Sequence, residues 1–227
     1  MIVDIVIPAL DEEDSVGRVV AELKDPRVRR IIVVDNGSRD ATAERARAAG
    51  AIVVREPQRG YGRACLTGLA ELASDPPDVV GFVDADYSDY PEDLTALLDR
   101  VAQGYDMVIG SRTRGHAQRG SLTPVQVFGN WLSTTLIRGL YGVDYTDLGP
   151  FRVIWWDALR RIGMQDEDFG WTVEMQVRAA RLGLRTTEIP VRYRPRIGVS
   201  KVSGTVVGSV RAGHKILWTI GREYVSR

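Results

Sequence analysis

Two aspartates one residue apart, Asp84-Ala85-Asp86, follow the apolar run 79–83. In extended backbone, residues i and i+2 point the same way. A strand end carrying this pair therefore presents two carboxylates on one side, a set of oxygen ligands that suits Mg²⁺ or Mn²⁺ with coordination positions kept for phosphate oxygens. The plainer alternative is two solvated loop acids, since an Asp-x-Asp spacing arises by chance; the buried-type strand just before it favours the metal reading. A second strand ends similarly, in Ile32-Val33-Val34-Asp35-Asn36-Gly37-Ser38. Asp35 is placed to accept hydrogen bonds from a ribose or a base, or else Asn36-Gly37 is only a turn and Asp40 only a helix cap. Arg59-Gly60-Tyr61-Gly62-Arg63 opens a helix. Glycines there allow close backbone approach to phosphate, and arginines add charge. The segment is also a partial dinucleotide fingerprint. That reading fails: the third glycine position is Cys65, the motif follows the third strand, and the first βα turn, Asp11-Glu12-Glu13, is acidic.

The elements that position these residues alternate. Apolar runs at 2–7, 31–34, 51–54, 79–83 and 107–109 read as strands, and helical spacing marks 15–23, 41–49 and 63–73. Pro91 opens a fourth helix that stops before Gly104. Such alternation predicts an α/β fold: one mostly parallel, Rossmann-like central sheet with helices on both faces. Ligands bind at the carboxyl ends of such strands, here the loops 8–13, 35–40, 84–89 and 110–114, three of them acidic. Further on, Thr123-Pro124-Val125-Gln126 is a capping box with Pro at the first helical position. Val125, Phe128, Leu132, Thr135 and Leu136 share a face of that helix, with Trp131 beside it. Core packing with partial exposure is expected of such a face. A strand at 151–155, a helix at 171–182, a strand at 185–189 ended by Pro190, a basic loop at 194–204 and a closing helix at 206–224 complete the reading.

The composition narrows the function. The 227 residues hold 30 Lys+Arg and 30 Asp+Glu, without the basic excess of a general nucleic-acid binder. Yet residues 1–110 carry 12 basic and 21 acidic side chains, and residues 111–227 carry 18 and 9. An acidic, metal-binding half facing a basic, anion-handling half fits that split. Cys65 is the one cysteine, so no internal disulfide or cysteine-based zinc site forms, and a reducing compartment is expected. No apolar run approaches a membrane span, and the chain opens on Met1-Ile2-Val3-Asp4 without the pattern of a signal peptide.

Together these segments resemble an inverting family 2 glycosyltransferase of the GT-A fold, and within it the dolichol- or polyprenol-phosphate sugar synthase branch. The residues carrying the resemblance are Ile7-Pro8-Ala9-Leu10-Asp11-Glu12-Glu13, Val34-Asp35-Asn36-Gly37-Ser38-Arg39-Asp40, Asp84-Ala85-Asp86, Gly110-Ser111-Arg112, Gly149-Pro150-Phe151-Arg152, Glu174 and Gly198-Val199-Ser200-Lys201. It implies a single domain over 1–227, with a nucleotide-sugar half at 1–112 and an acceptor-side half at 113–227. By position, Pro8, Glu12 and Asp35 would line the base and ribose, with Gly60 and Gly62 near the same ligand. Asp84 would sit by ribose and metal, Asp86 would bind the Mg²⁺ or Mn²⁺ that bridges the diphosphate, and Arg112 would lie near the donor and acceptor phosphates. Arg196, Ser200 and Lys201 stand where the family has a loop that closes over phosphates. The chain departs from the family's usual pattern at Asp11 (usually Asn), at Asn36 (usually Asp) and at Leu148-Gly149-Pro150-Phe151-Arg152 (usually Ser-Gly-Phe-Arg).

The implied reaction moves a sugar from a nucleotide-diphosphate sugar, of GDP-mannose or UDP-glucose type, to a polyprenyl phosphate. Such an acceptor is already anionic and needs no base. A hydroxyl acceptor on a lipid, small molecule or polysaccharide is the alternative and needs a carboxylate, Glu174 first and Asp147 second. The protein is expected in the cytoplasm, peripheral on the membrane face, where Trp131 and Arg138 could sit at headgroup depth. A nucleotidyltransferase is disfavoured, because 8–14 holds no glycine. A non-catalytic nucleotide-binding module is the remaining rival.

Overall fold

The computed structural model describes residues 1–198 and 206–225, with side chains other than those of 206–211. The chain runs β1 (Val3–Ala9), α1 (Val16–Glu22), β2 (Val28–Asp35), α2 (Thr42–Ala48), β3 (Ile52–Arg55), α3 (Tyr61–Leu72), β4 (Val79–Phe82) and α4 (Leu94–Ala102), the last entered through a 3₁₀ turn at Pro91–Asp93. It continues with β5 (Met107–Ala117), α5 (Pro124–Tyr141), β6 (Arg152–Trp155), α6 (Trp156–Ile162), α7 (Trp171–Arg181), β7 (Thr186–Tyr193) and α8 (Val206–Val225). Seven strands form one sheet in the order β3-β2-β1-β4-β6-β5-β7. Only β6 runs antiparallel to its neighbours. Both halves of the sequence contribute strands to it.

Alternation along each strand builds two cores. Val6, Ile32 and Val34 face α3 and the C-terminal helices, where Phe82 meets Trp171 edge-on at 5.8 Å. Ile5, Ile7 and Val33 face the opposite layer, with Val16 and Val19 of α1 and Leu94, Leu97 and Val101 of α4. This is the expected sheet covered on both faces. Asp4, the polar interruption in β1, is fully buried and held by Arg29 and Arg30 at 2.7 Å each.

The chain builds β2 and β3 on one side of β1 and then crosses to β4 on the other. That reversal opens a crevice at the carboxyl ends of β1 and β4. Ala9 pairs with Asp35, and Val6 with Phe82, so the loops after β1, β2 and β4 leave the same sheet edge.

Three elements differ from the sequence reading. The helix α6 was not expected, because Trp155-Trp156 extends a strand-like run and no capping side chain marks its start. β5 continues to Ala117, where polar, exposed residues hide the strand pattern. β7 passes through Pro190 to Tyr193; it lies at the sheet edge, where a missing N–H costs no ladder bond.

Candidate active site

The crevice is a cleft of about 370 Å³. It brings together Pro8, Glu12, Gly60, Asp84, Asp86 and Arg196 from four separate segments. Asn36, Tyr61, Asp168 and Phe169 also line it, although sequence reasoning gave them no ligand role. The signal for Tyr61 was its place between two glycines at a helix start. Phe169 carried none, since its loop is brought in by α7.

Asp84 sits on the cleft floor and accepts a hydrogen bond from the Tyr61 hydroxyl at 2.9 Å. Burial, and then the neighbouring Asp86 charge, push its carboxyl up to about 7. Asp86 is held by the Ser88 backbone N–H at 2.9 Å and the Ser88 hydroxyl at 2.5 Å, both on Oδ1. Its Oδ2 faces the Arg196 guanidinium at 3.0 Å. Arg196 also pairs with Glu12, and the loop carrying it is tied down by the Ile197 N–H on the Asp86 carbonyl at 3.0 Å. Glu12 is further fixed by the Ser15 hydroxyl at 3.1 Å. Two carboxylates side by side in a partly buried cleft, the Asp84 carboxyl raised by burial and then by its neighbour, are a donor set that a divalent cation fits. No group of three or more possible metal-ligating side chains occurs among the described residues. The remaining coordination positions would therefore fall to ligand oxygens and water.

Asp35 lies just behind the cleft, 8% exposed, and its Oδ1 accepts the Ser38 N–H at 2.9 Å. Its neighbour Asn36 is the residue that reaches the cleft. The Asn36 side-chain amide donates to the Glu56 and Gln58 carbonyls, while its oxygen accepts the Gly60 N–H at 2.8 Å. Asn36 thus joins the end of β2 to the start of α3 and is more than a turn former. The glycines of that start also serve the protein itself. A Cβ on Gly62 would lie 2.0 Å from the Asp166 carbonyl oxygen, and one on Gly60 would lie 2.3 Å from that of Glu167. The sequence reading gave these glycines to phosphate approach; Gly60 does line the cleft, but Gly62 is small because the 163–170 loop crosses it.

Arg112 and Asp147 form a largely buried pair. The Arg112 backbone N–H and Nε donate to Asp147 Oδ2 at 2.7 and 2.8 Å, and a terminal nitrogen donates to Oδ1 at 2.6 Å. The guanidinium also stacks on Tyr193 at 5.1 Å. Asp147 is fully buried, so its carboxylate orients Arg112 and offers no free face to a hydroxyl. Glu174 stands elsewhere. It is fully buried and accepts the N–H groups of Gln165 and Asp166 at 3.0 and 2.8 Å. Arg178 and Arg222 pair with it at 3.0 and 3.2 Å. Glu174 therefore holds the loop that lines the cleft through Asp168 and Phe169, and it does not itself line the cleft. Asp89, unremarked in the sequence, is 2% exposed, and neither carboxyl oxygen has a hydrogen-bond partner among the described residues. Burial, then Asp84 and Asp86, push its carboxyl well up. Ser200 and Lys201 lie outside the described residues.

Residues 4–163 match the family model described as glycosyl transferase family 2. The chain belongs to glycosyltransferase family 2. A glycosyltransferase of Mycobacterium tuberculosis, itself called uncharacterised, is 39% identical over 212 residues, covering 92% of this chain and 94% of that one. An undecaprenyl-phosphate mannosyltransferase of Micrococcus luteus is 31% identical over 215 residues, covering 89% and 88%. Among solved structures, glucosyl-3-phosphoglycerate synthase from M. tuberculosis, in complex with Mn²⁺, UDP and glucosyl-3-phosphoglycerate, superposes with a TM-score of 0.76 at 22% identity. The match covers 98% of this chain and 79% of that one. The family 2 enzyme described here thus has the expected GT-A fold. None of its described helices is long and apolar enough to cross a membrane.

Proposed function

We propose that the protein is an inverting, metal-dependent hexosyltransferase that moves a sugar from a nucleotide-diphosphate sugar, of GDP-mannose or UDP-glucose type, to a polyprenyl or dolichyl phosphate. In this reading residues 1–112 bind the donor and residues 113–227 receive the acceptor. The observation that carries the acceptor assignment is the state of the two sequence-named bases. Asp147 is locked on Arg112, and Glu174 on Arg178 and Arg222. A phosphate acceptor needs neither, because its oxygen is already an anionic nucleophile. The relationship to an undecaprenyl-phosphate mannosyltransferase supports the same choice.

The acceptor oxygen attacks the anomeric carbon as the bond to the diphosphate breaks on the opposite face. Negative charge then builds on the leaving diphosphate. Asp84 and Asp86 would hold a Mg²⁺ or Mn²⁺ ion that neutralises part of this charge when bound. Arg196, in the same cleft, supplies a second positive charge, and Arg112 is oriented by Asp147 toward the acceptor phosphate. Pro8 and Glu12 line the pocket for base and ribose, with Asp35 behind it and Gly60 and Asn36 shaping the far wall; Gly62 keeps room for the 163–170 loop. Ser200 and Lys201, by family position, add phosphate contacts. An enzyme using such an acceptor works at a membrane surface, and we place it peripherally on the cytoplasmic face.

A hydroxyl acceptor keeps one observation in its favour. Asp89 is a buried carboxyl without a partner among the described residues, and it could take a proton. Calorimetry with GDP, UDP and their sugars, with and without Mn²⁺, tests the donor site on the native chain and on Asp86→Ala. Metal-dependent binding of one nucleotide, lost in Asp86→Ala, is expected; no binding under any condition overturns the proposal. Transfer assays with a water-soluble short-chain prenyl phosphate and with its alcohol then separate the two acceptors.

A further inference from the structure

The N-terminal half of α5 leaves large apolar side chains in solvent. Val125, Val127, Phe128 and Trp131 are 59%, 50%, 60% and 59% exposed. The buried positions of α5 lie in its C-terminal half: Ser133 and Thr134, 2% and 7% exposed, and Ile137. The two hydroxyls turn back onto the helix carbonyls of Gly129 and Asn130 at 2.7 and 3.0 Å. A helix in water normally turns its large apolar side chains toward the core. Phe128 and Trp131, one turn apart, have ring centroids 5.8 Å from each other, so the exposed rings form one patch.

The chain around this patch carries a single sign of charge. Residues 111–141 hold four arginines and one histidine and no aspartate or glutamate. Arg114 and Arg119, in the segment leading into the helix, are exposed. The patch is also small. Two aromatic rings about three-fifths exposed offer roughly 250 Å². With two valines added, the patch stays well below the roughly 800 Å² per partner of a stable protein interface. Of the four arginines, Arg112 pairs with Asp147 and Arg138 with Asp144; apolar rings beside the exposed Arg114 and Arg119 match an anionic lipid surface better than a second copy of the chain.

The patch adjoins the site. Asn130, next to Trp131, accepts the Leu148 N–H at 2.8 Å and donates to the Thr146 carbonyl at 2.9 Å. These two bonds flank Asp147, the residue that clamps Arg112. We propose that the N-terminal half of α5 docks on an anionic lipid bilayer, with Phe128 and Trp131 in the headgroup–acyl boundary and Arg114 and Arg119 against the headgroups. Docking there sets the Asp147–Arg112 side of the cleft next to the surface that holds a lipid phosphate. The inference rests on the lipid-phosphate reading for its purpose, but its test does not require transfer.

The test is co-sedimentation with vesicles of phosphatidylcholine containing phosphatidylglycerol, and of phosphatidylcholine alone. Three proteins are compared: the native chain, Phe128→Ser/Trp131→Ser and Arg119→Glu. Circular dichroism and nucleotide affinity check that each variant is folded. The native chain should sediment with the anionic vesicles and less with the neutral ones. The double variant should partition at least about tenfold more weakly. Arg119→Glu, which leaves the helix untouched, should lose binding only on anionic vesicles. A native chain that stays in the supernatant overturns the proposal, as does a folded double variant that binds like the native chain. So does a dimer in light scattering that the double variant abolishes while no vesicles are bound. Transfer to a soluble prenyl phosphate without vesicle binding would sink the docking face and leave the acceptor reading standing. Vesicle binding without such transfer would do the reverse.

Discussion

Asp147 grips Arg112 by three hydrogen bonds of 2.6 to 2.8 Å, two from the guanidinium and one from the backbone N–H of the same arginine. Both carboxylate oxygens are engaged, and the aspartate has no exposed surface. The aspartate is held in turn, since Glu188 accepts the N–H groups of Thr146 and Asp147 at 2.9 and 3.0 Å. The pair is thus a fixed fork on the middle of β5. Removing one member of a buried pair costs about 3–5 kcal/mol, mostly from the charge left behind. Asp147→Asn should therefore lower the free energy of urea unfolding by about 3 kcal/mol. Nucleotide affinity should change little, and the KM for the acceptor should rise. A rise in nucleotide Kd as large as that in acceptor KM would show that Arg112 serves the donor.

Asp84 makes metal binding and stability depend on pH. Its carboxyl is raised to about 7 by burial and by Asp86, so in the folded protein it keeps its proton where an unfolded chain has lost it. A raised acid contributes stability that is complete below the unfolded pKa and disappears as pH rises through the folded one. Without metal, stability should fall between about pH 4 and pH 7 as far as this group decides it. Mn²⁺ binds the ionised form, so its affinity should rise over the same interval and level off above it. In Asp84→Asn this contribution to the slope should vanish. Thermal melts across pH, with and without Mn²⁺, measure both; an unchanged slope in Asp84→Asn would locate the titration elsewhere.

Gly62 and Gly129 give opposite outcomes for the same change to alanine. A Cβ on Gly62 would come within 2.0 Å of the Asp166 carbonyl oxygen and 2.8 Å of its carbon, while one on Gly129 would meet nothing within 4 Å. The first neighbour is backbone and gives way only if the 163–170 loop moves. Gly62→Ala should destabilise by about 1–3 kcal/mol and weaken nucleotide binding, because Asp168 and Phe169 move with the loop. Gly129→Ala, inside α5, should stabilise by about 0.5–1 kcal/mol through helix propensity alone. Chemical denaturation of the two variants checks the pair of signs.

The donor half of the site was legible because a parallel sheet announces where its loops go. Apolar runs followed by Asp84-Ala85-Asp86 and by Asp35-Asn36 mark strand ends, and all such ends share one edge. The second half of the chain was less legible, because its carboxylates take their meaning from distant partners. Asp147 meets an arginine 35 residues away, and Glu174 meets one a single turn on, an ordinary helical spacing, and another 48 residues away. No local spacing distinguishes such a carboxylate from a free base. The helix α6 was hidden for a related reason: Ala158, Leu159 and Ile162 bury its inner face, but the aromatic pair before them continues a strand pattern. Asp89 carried no signal at all; only the packing of β7 and its loop buries it.

Glu174 gives the clearest separation between a base and a support. Its carboxylate holds the Gln165 and Asp166 N–H groups and two arginines. In Glu174→Gln the size is kept, but the charge is lost and Arg178 and Arg222 are left facing a neutral amide. Arg178 retains Glu223 at 2.9 Å and Arg222 retains it at 3.1 Å, so the loss is partial, about 2–3 kcal/mol of folding free energy. The 163–170 loop should loosen, raising the nucleotide Kd and lowering kcat together. A positioning residue leaves the shape of the pH–rate profile intact, whereas a general base gives the profile its acid limb. The expected result is a lower profile of native shape, with Glu174→Asp no better than Glu174→Gln, because the shorter side chain no longer reaches the loop. A profile whose acid limb disappears in Glu174→Gln would restore Glu174 as the base and, with it, the hydroxyl acceptor.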